Sequence, residues 1–207
     1  MKTRIVITTA AAIFIMISSF AQNNISFGVR AGINFQNLTG KESDGSKYSN
    51  KLIPGFNVGG NVEFPIATDF YIQPGLLFTT KGAKSKDALN WKETLNYFEI
   101  PVNFLYKPML GDGKLLLGFG PYVAFGVGGN YKVGSTSTSV KFGSDPGELK
   151  RVDAGANLLA GYQFSNKLSF QLNAGLGLVN LANRESGDNK SSLKNTGFGI
   201  SAGYRFN

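Results

Sequence analysis

The sequence predicts an all-β fold: an eight-stranded antiparallel up-and-down transmembrane β-barrel that follows a cleaved signal peptide. Three observations predict it. Apolar residues recur at every second position in eight separate runs. The opposite face of those runs is mostly Gly, Asn, Gln and Ser rather than the Lys, Glu and Thr of a wetted sheet. The connections between runs alternate between long and short.

The amino-terminal segment is set aside first. Lys2 and Arg4 give a positive start, an apolar stretch from Ile5 to Ile17 follows, and Ser19-Phe20-Ala21 places small residues where a signal peptidase reads them. Cleavage is expected after Ala21, with residues 1–21 the signal peptide and 22–207 the barrel domain. The apolar stretch is shorter than the roughly 20 residues of a spanning helix. Removing residues 1–21 from 207 leaves 186, enough for one domain. Lys2 and Arg4 leave with the signal, so the formal net charge falls from +8 to +6. An exported chain without cysteine must be held by its core or by closure of a sheet.

The runs follow in order. Ile25, Phe27, Val29, Ala31, Ile33 and Phe35 share one face, with Ser26, Gly28, Arg30, Gly32 and Asn34 on the other. The second run sets Phe56, Val58, Val62 and Phe64 against Asn57, Gly59, Asn61 and Glu63, and the third sets Phe70, Ile72, Leu76 and Phe78 against Tyr71, Gln73, Gly75, Leu77 and Thr79. In the fourth, Phe98, Ile100, Val102, Phe104 and Tyr106 oppose Glu99, Asn103 and Lys107. The fifth opposes Leu115, Leu117, Phe119, Val123 and Phe125 to Gly118, Gly120, Tyr122 and Gly126. The sixth, seventh and eighth place Asp153, Asn157, Gln163, Ser169, Gln171, Asn173, Ser201 and Arg205 opposite a face of Val, Leu, Ala, Ile, Phe and Tyr. Long connections are expected at 37–52, 81–92, 132–148 and 182–192, with short turns near Ala67-Thr68, from Met109 to Gly113 and at Ser165-Asn166.

The small polar face suits the crowded inside of a narrow barrel. Its charges, Arg30, Glu63, Glu99, Lys107, Asp153 and Arg205, are expected to form a structural network in the lumen, because an unpaired buried ion costs several kcal/mol. Aromatics gather at both ends of the apolar face, as in the two interface girdles of a membrane barrel. Pro74, Pro101 and Pro121 lie inside runs, where each removes a ladder hydrogen bond. Bulges or kinks are expected there, with the ladder interrupted at two or more of them.

The chain resembles the PorT-like outer-membrane β-barrel proteins of Bacteroidota over essentially the whole mature length. The resemblance rests on Phe27-Gly28-Val29-Arg30-Ala31-Gly32-Ile33-Asn34, Ile72-Gln73-Pro74-Gly75-Leu76-Leu77-Phe78, Tyr97-Phe98-Glu99-Ile100-Pro101-Val102, Gly120-Pro121-Tyr122-Val123 and Gly203-Tyr204-Arg205-Phe206. It implies an eight-stranded barrel in the outer membrane and no single activity, although some relatives are associated with secretion.

The chain has no histidine, so a serine or water nucleophile lacks its usual general base. An enzyme is not expected, and neither is a metal or other cofactor, since the usual zinc and copper ligands are absent. Lys81, Lys84, Lys86 and Lys92 in the second long connection, with Lys132 and Lys141 in the third, offer a positive surface to lipopolysaccharide phosphates. Outer-membrane lipid is the expected surrounding, and no nucleic-acid partner is expected after export. The reading is a non-enzymatic structural or interaction protein of the cell envelope that assists secretion. Two alternatives stand beside it: a small-solute channel or carrier, and a soluble periplasmic ligand-binding barrel.

Overall fold

The computed structural model describes residues 25–86, 91–145, 147–183 and 190–206. The expected signal peptide, residues 1–21, lies outside the described residues. Eleven strands occur among them: β1 (Ser26–Lys41), β2 (Asn50–Lys51), β3 (Ile53–Ala67), β4 (Phe70–Ser85), β5 (Trp91–Tyr106), β6 (Met109–Leu110), β7 (Gly113–Val133), β8 (Thr136–Ser139), β9 (Val152–Gln163), β10 (Leu168–Gly177) and β11 (Ser192–Arg205). The eight long ones form the wall in the order β1-β3-β4-β5-β7-β9-β10-β11, every neighbouring pair antiparallel. The first strand then pairs with the last, from Gly28↔Arg205 to Lys41↔Ser192, and closes the sheet. Closure matters because an open edge in lipid leaves backbone groups unsatisfied at several kcal/mol each. The short strands β2, β6 and β8 are additions at the two ends of the wall.

Faces fall as the alternation predicts. Val29, Ile33, Phe56, Val58, Leu76, Ile100, Phe119, Leu158, Leu172 and Ile200 point outward and are exposed, while Asn34, Asn57, Gln73, Thr79, Asn103, Gln171 and Ser201 are buried inside. Leu158 is 61 % exposed beside Leu159 at 8 %, which fixes the direction of the pleat. Outward aromatics pair across strands in two rows. Phe35 with Phe198, and Phe78 with both Phe56 and Phe98, lie towards the long connections, and Phe70, Phe104, Tyr106 and Phe119 lie towards the turns. Two glycines open the inside where side chains need room. A Cβ on Gly28 would meet Cζ of Arg205 at 2.8 Å, and one on Gly118 would meet Cδ2 of Leu105 at 2.4 Å.

One expectation holds in part and another is corrected. As expected, the ladder is interrupted at all three prolines, but without bulges. The β3–β4 pairing skips from Asn61↔Gly75 to Phe64↔Ile72, passing Pro74. The β4–β5 pairing skips from Pro74↔Val102 to Leu77↔Glu99, passing Pro101. The β5–β7 pairing skips from Pro101↔Tyr122 to Phe104↔Phe119, passing Pro121. The register is unchanged across each gap, because a missing N–H inserts no extra residue. The register shifts lie instead between Pro65 and Ala67 and beside Asn96/Tyr97. The long connections are also shorter than expected: β1 continues to Lys41, β4 to Ser85 and β7 to Val133.

Candidate functional site

The lumen is built from inward side chains of all eight wall strands, in two ion clusters. Near the turns, Glu63 of β3 joins two cations from across the lumen, Lys107 just after β5 and Arg205 at the end of β11, strands that are not its neighbours in the wall. Lys107 Nζ lies 2.6 Å from Glu63 Oε2, and Arg205 Nη2 lies 2.6 Å from Oε1. Gln73 Nε2 donates to the same carboxylate at 3.0 Å, and Asn103 Nδ2 donates to Gln73 Oε1 at 3.3 Å. Lys107 also sits 5.0 Å from the centre of the Tyr71 ring. Leu105, Leu116 and Leu159, from the adjacent strands β5, β7 and β9, form an apolar cluster inside the barrel, with Tyr71 packed against it.

Towards the long connections, Lys81 bridges two acids, 2.9 Å from Glu99 Oε2 and 3.1 Å from Asp153 Oδ2. Tyr122 Oη donates to Asp153 Oδ2 at 3.2 Å, Asn195 Nδ2 donates to the same oxygen at 2.9 Å, and Asn157 Nδ2 donates to Glu99 Oε1 at 3.2 Å. The ammonium lies 4.2 Å from the Tyr122 ring centre, so a cation–π contact supplements its two carboxylates.

Of the six charges singled out in the sequence, the structure joins Glu63, Lys107 and Arg205 directly and brings Glu99 and Asp153 together through Lys81. Arg30 stands apart: its Nη1 donates to Asn173 Oδ1 at 3.4 Å, and among the described residues it forms no ion pair. Lys81 corrects the placement of that residue in a solvated loop. It is an inward residue of β4, 5 % exposed, whereas Lys84, Lys86, Lys92, Lys132 and Lys141 are exposed. The signal was present in the parity of Gln73, Gly75, Leu77 and Thr79, which continues to Lys81.

Above the upper cluster the barrel mouth is plugged. Leu38, Ala83, Leu95, Tyr97, Ala124, Leu181 and Leu193 form a buried apolar core, against which Trp91 packs from the start of β5 and Tyr48, Val140, Phe142 and Leu149 pack from the connections. Tyr97 and Phe142 meet edge to face at 5.8 Å. The backbone ties the plug down: Leu181 N–H donates to Leu193 O at 2.7 Å, and Lys150 N–H to Leu181 O at 2.8 Å. Between the plug and this apolar cluster, a lumen cavity beside Arg30, Asn57 and Asn173 has about 60 Å³, room for a few waters. Outside the membrane band, Glu93 is half-buried in the mouth, and burial raises its carboxyl to about 7.

Comparison with known proteins agrees with this architecture. The model of the outer membrane protein beta-barrel domain matches residues 20–183. A search of curated proteins finds no match to this chain. Among solved structures, the outer membrane protein OprG from Pseudomonas aeruginosa is 14 % identical, aligning 87 % of this chain with 95 % of that one at a TM-score of 0.52. Neisserial surface protein A (NspA) is 12 % identical, aligning 89 % with 100 % at a TM-score of 0.50. At such identities the likeness concerns the fold alone. The outward apolar face overturns the soluble periplasmic reading, since that face in water would be one continuous exposed patch. With the family model covering more than half of its length, the chain belongs to the outer membrane protein beta-barrel domain family and resides in the outer membrane.

Proposed function

We propose that this protein is a non-enzymatic, non-conducting barrel with a structural and interaction role at the cell envelope. The observation that carries the reading is the filling of its lumen by side chains. Leu105, Leu116 and Leu159 pack together inside near the turns, the plug around Leu95 and Leu181 fills the mouth, and the lumen spaces beside Arg30 hold only about 60 and 10 Å³. The ion clusters, formed by Glu63, Lys107 and Arg205 and by Lys81, Glu99 and Asp153, then serve to fix strands across the lumen rather than to conduct. Arg30 completes the set as a lone guanidinium donating to the Asn173 amide oxygen. The chain lacks histidine and cysteine, which removes the usual general bases and thiol nucleophiles.

Within the family we place the chain among the PorT-like barrels of Bacteroidota, on the stretches around Pro74, Pro101 and Pro121 and the closing Gly203-Tyr204-Arg205-Phe206. Residues 1–21 are removed on export and 22–207 form the mature barrel. Its outward partners are lipopolysaccharide phosphates and envelope or secretion proteins, reached through the exposed lysines Lys84, Lys86, Lys92, Lys132 and Lys141. Planar-bilayer recording tests the central point. Purified refolded protein should give no stable single-channel steps; reproducible steps would overturn the reading in favour of a small-solute channel.

A further inference from the structure

Above the apolar plug, the mouth holds a cleft of about 630 Å³ bordered by Tyr48, Trp91, Glu93, Tyr131 and Leu193. That volume lies within the roughly 300–1,000 Å³ of small-molecule sites. The Trp91 and Tyr131 rings stack at 6.0 Å and 27°. A second cleft, lined by Val140, Asp145 and Glu148, shares Glu93 and Tyr131. Glu93 therefore stands between two open spaces, beside aromatic rings and above a greasy floor. Among the described residues it forms no ion pair.

Three features set the chemistry of an occupant. An ammonium group is attracted both by a carboxylate and by the negative faces of aromatic rings, so the two act together here. Among the described residues, the charged ones bordering the two clefts are Glu42, Glu93, Asp145 and Glu148 against Lys47 and Lys141, an acidic excess in a chain whose formal net charge is +8. A bound cation also supplies the counter-charge that a partly buried carboxylate lacks. A neutral sugar could stack on the same rings, but it would gain nothing from that charge.

We propose that the cleft binds a small organic ammonium compound, its cationic head against the Glu93 carboxylate and the rings of Tyr48, Trp91 and Tyr131. The site is independent of whether the lumen conducts.

Trp91 is the only tryptophan in the chain, so intrinsic tryptophan fluorescence reports this cleft alone. Full-length mature protein, refolded in detergent, is titrated with tetramethylammonium chloride against sodium chloride at equal ionic strength. A saturable change specific to tetramethylammonium is expected. Glu93→Gln should weaken it about tenfold or more, and Tyr131→Leu by severalfold, with both variants keeping a cooperative unfolding transition. Binding should tighten between about pH 6 and 8 as Glu93 ionises. The other groups facing it are Tyr97, Tyr131, Glu42, Lys47, Lys141, Asp145 and Glu148. Absence of a saturable response up to about 10 mM, an undiminished response in Glu93→Gln, or an equal response to methyl glucoside would each overturn the proposal. Single-channel conductance would overturn the preceding reading and leave this one standing.

Discussion

Below the outer row of phenylalanines, the wall strands expose apolar groups and bury mostly polar ones; above it, β1 and β5 do the reverse. On β5 the inward residues change from Asn103 and Glu99 to Tyr97 and Leu95, and the outward ones from Ile100 and Phe98 to Lys92. On β1, Asn34 gives way to Leu38 inside, and Ile33 to Thr39 outside. The surrounding solvent decides. Among acyl chains, burying leucine gains little, so the belt is held by its closed hydrogen-bond ladder and by ion clusters. In water the hydrophobic effect returns, and the mouth closes over an apolar core like a soluble domain.

The sharpest way to break this contrast is to remove the charge that anchors the belt. Glu63→Gln keeps the shape but leaves Lys107 and Arg205 buried beside one another without a counter-ion. Loss of one partner from a buried pair costs about 3–5 kcal/mol. Urea unfolding in detergent micelles should show a loss of that order. A loss below about 1 kcal/mol would mean that lumen water already solvates the two cations. Next comes a matched pair on the outer face. Ile200→Arg, between the two aromatic rows, should cost about 2–4 kcal/mol. Thr39→Arg, above the upper row, should stay within about 0.5 kcal/mol. Equal costs would place the lipid boundary elsewhere.

The same inversion explains what the sequence made legible. Within the belt, alternation is strict, and it reveals strand number, face orientation and the inward position of Glu63, Glu99, Asp153 and Arg205. Beyond Thr79 the outward positions turn polar at Thr80 and Lys84 while Ala83 goes inside, so the strand reads as a loop. Lys81 falls within that expected loop, although its parity is unbroken. The plug was illegible for a different reason. Its members, from Leu38 on β1 and Leu95 on β5 through Phe142 and Leu149 in a connection to Leu181 and Leu193, are scattered along the chain and are joined only by closure of the barrel. The prolines misled about bulges because an absent donor and an extra residue both interrupt a ladder, but only the extra residue shifts its register.

A smaller effect tests the mouth through pH. Burial raises the Glu93 carboxyl to about 7, above the ordinary glutamate value near 4.3. The folded state therefore holds a proton that the unfolded state has released, and stability falls as pH rises between those two values. Glu93→Gln should flatten this dependence and raise the midpoint of unfolding above pH 7, with little change at pH 4. The readout is the urea midpoint measured across that range. A parallel decline in both proteins would assign the dependence to another group.

The smallest expected effect concerns the ladder gaps in the belt. Pro121→Ala would supply an N–H opposite the stretch of β5 that the pairing skips, around Val102 and Asn103. A new backbone bond contributes about 0.5–1.5 kcal/mol net. Losing proline loosens the unfolded chain and costs about 0.4–1 kcal/mol. The two nearly cancel, so the urea midpoint should move little in either direction. A large gain would be more informative than a loss. It would mean that a β5 carbonyl had been left unpaired among acyl chains, where such a group costs several kcal/mol. The three prolines would then be places where the belt gives up stability, not positions where lumen side chains or water already satisfy the backbone.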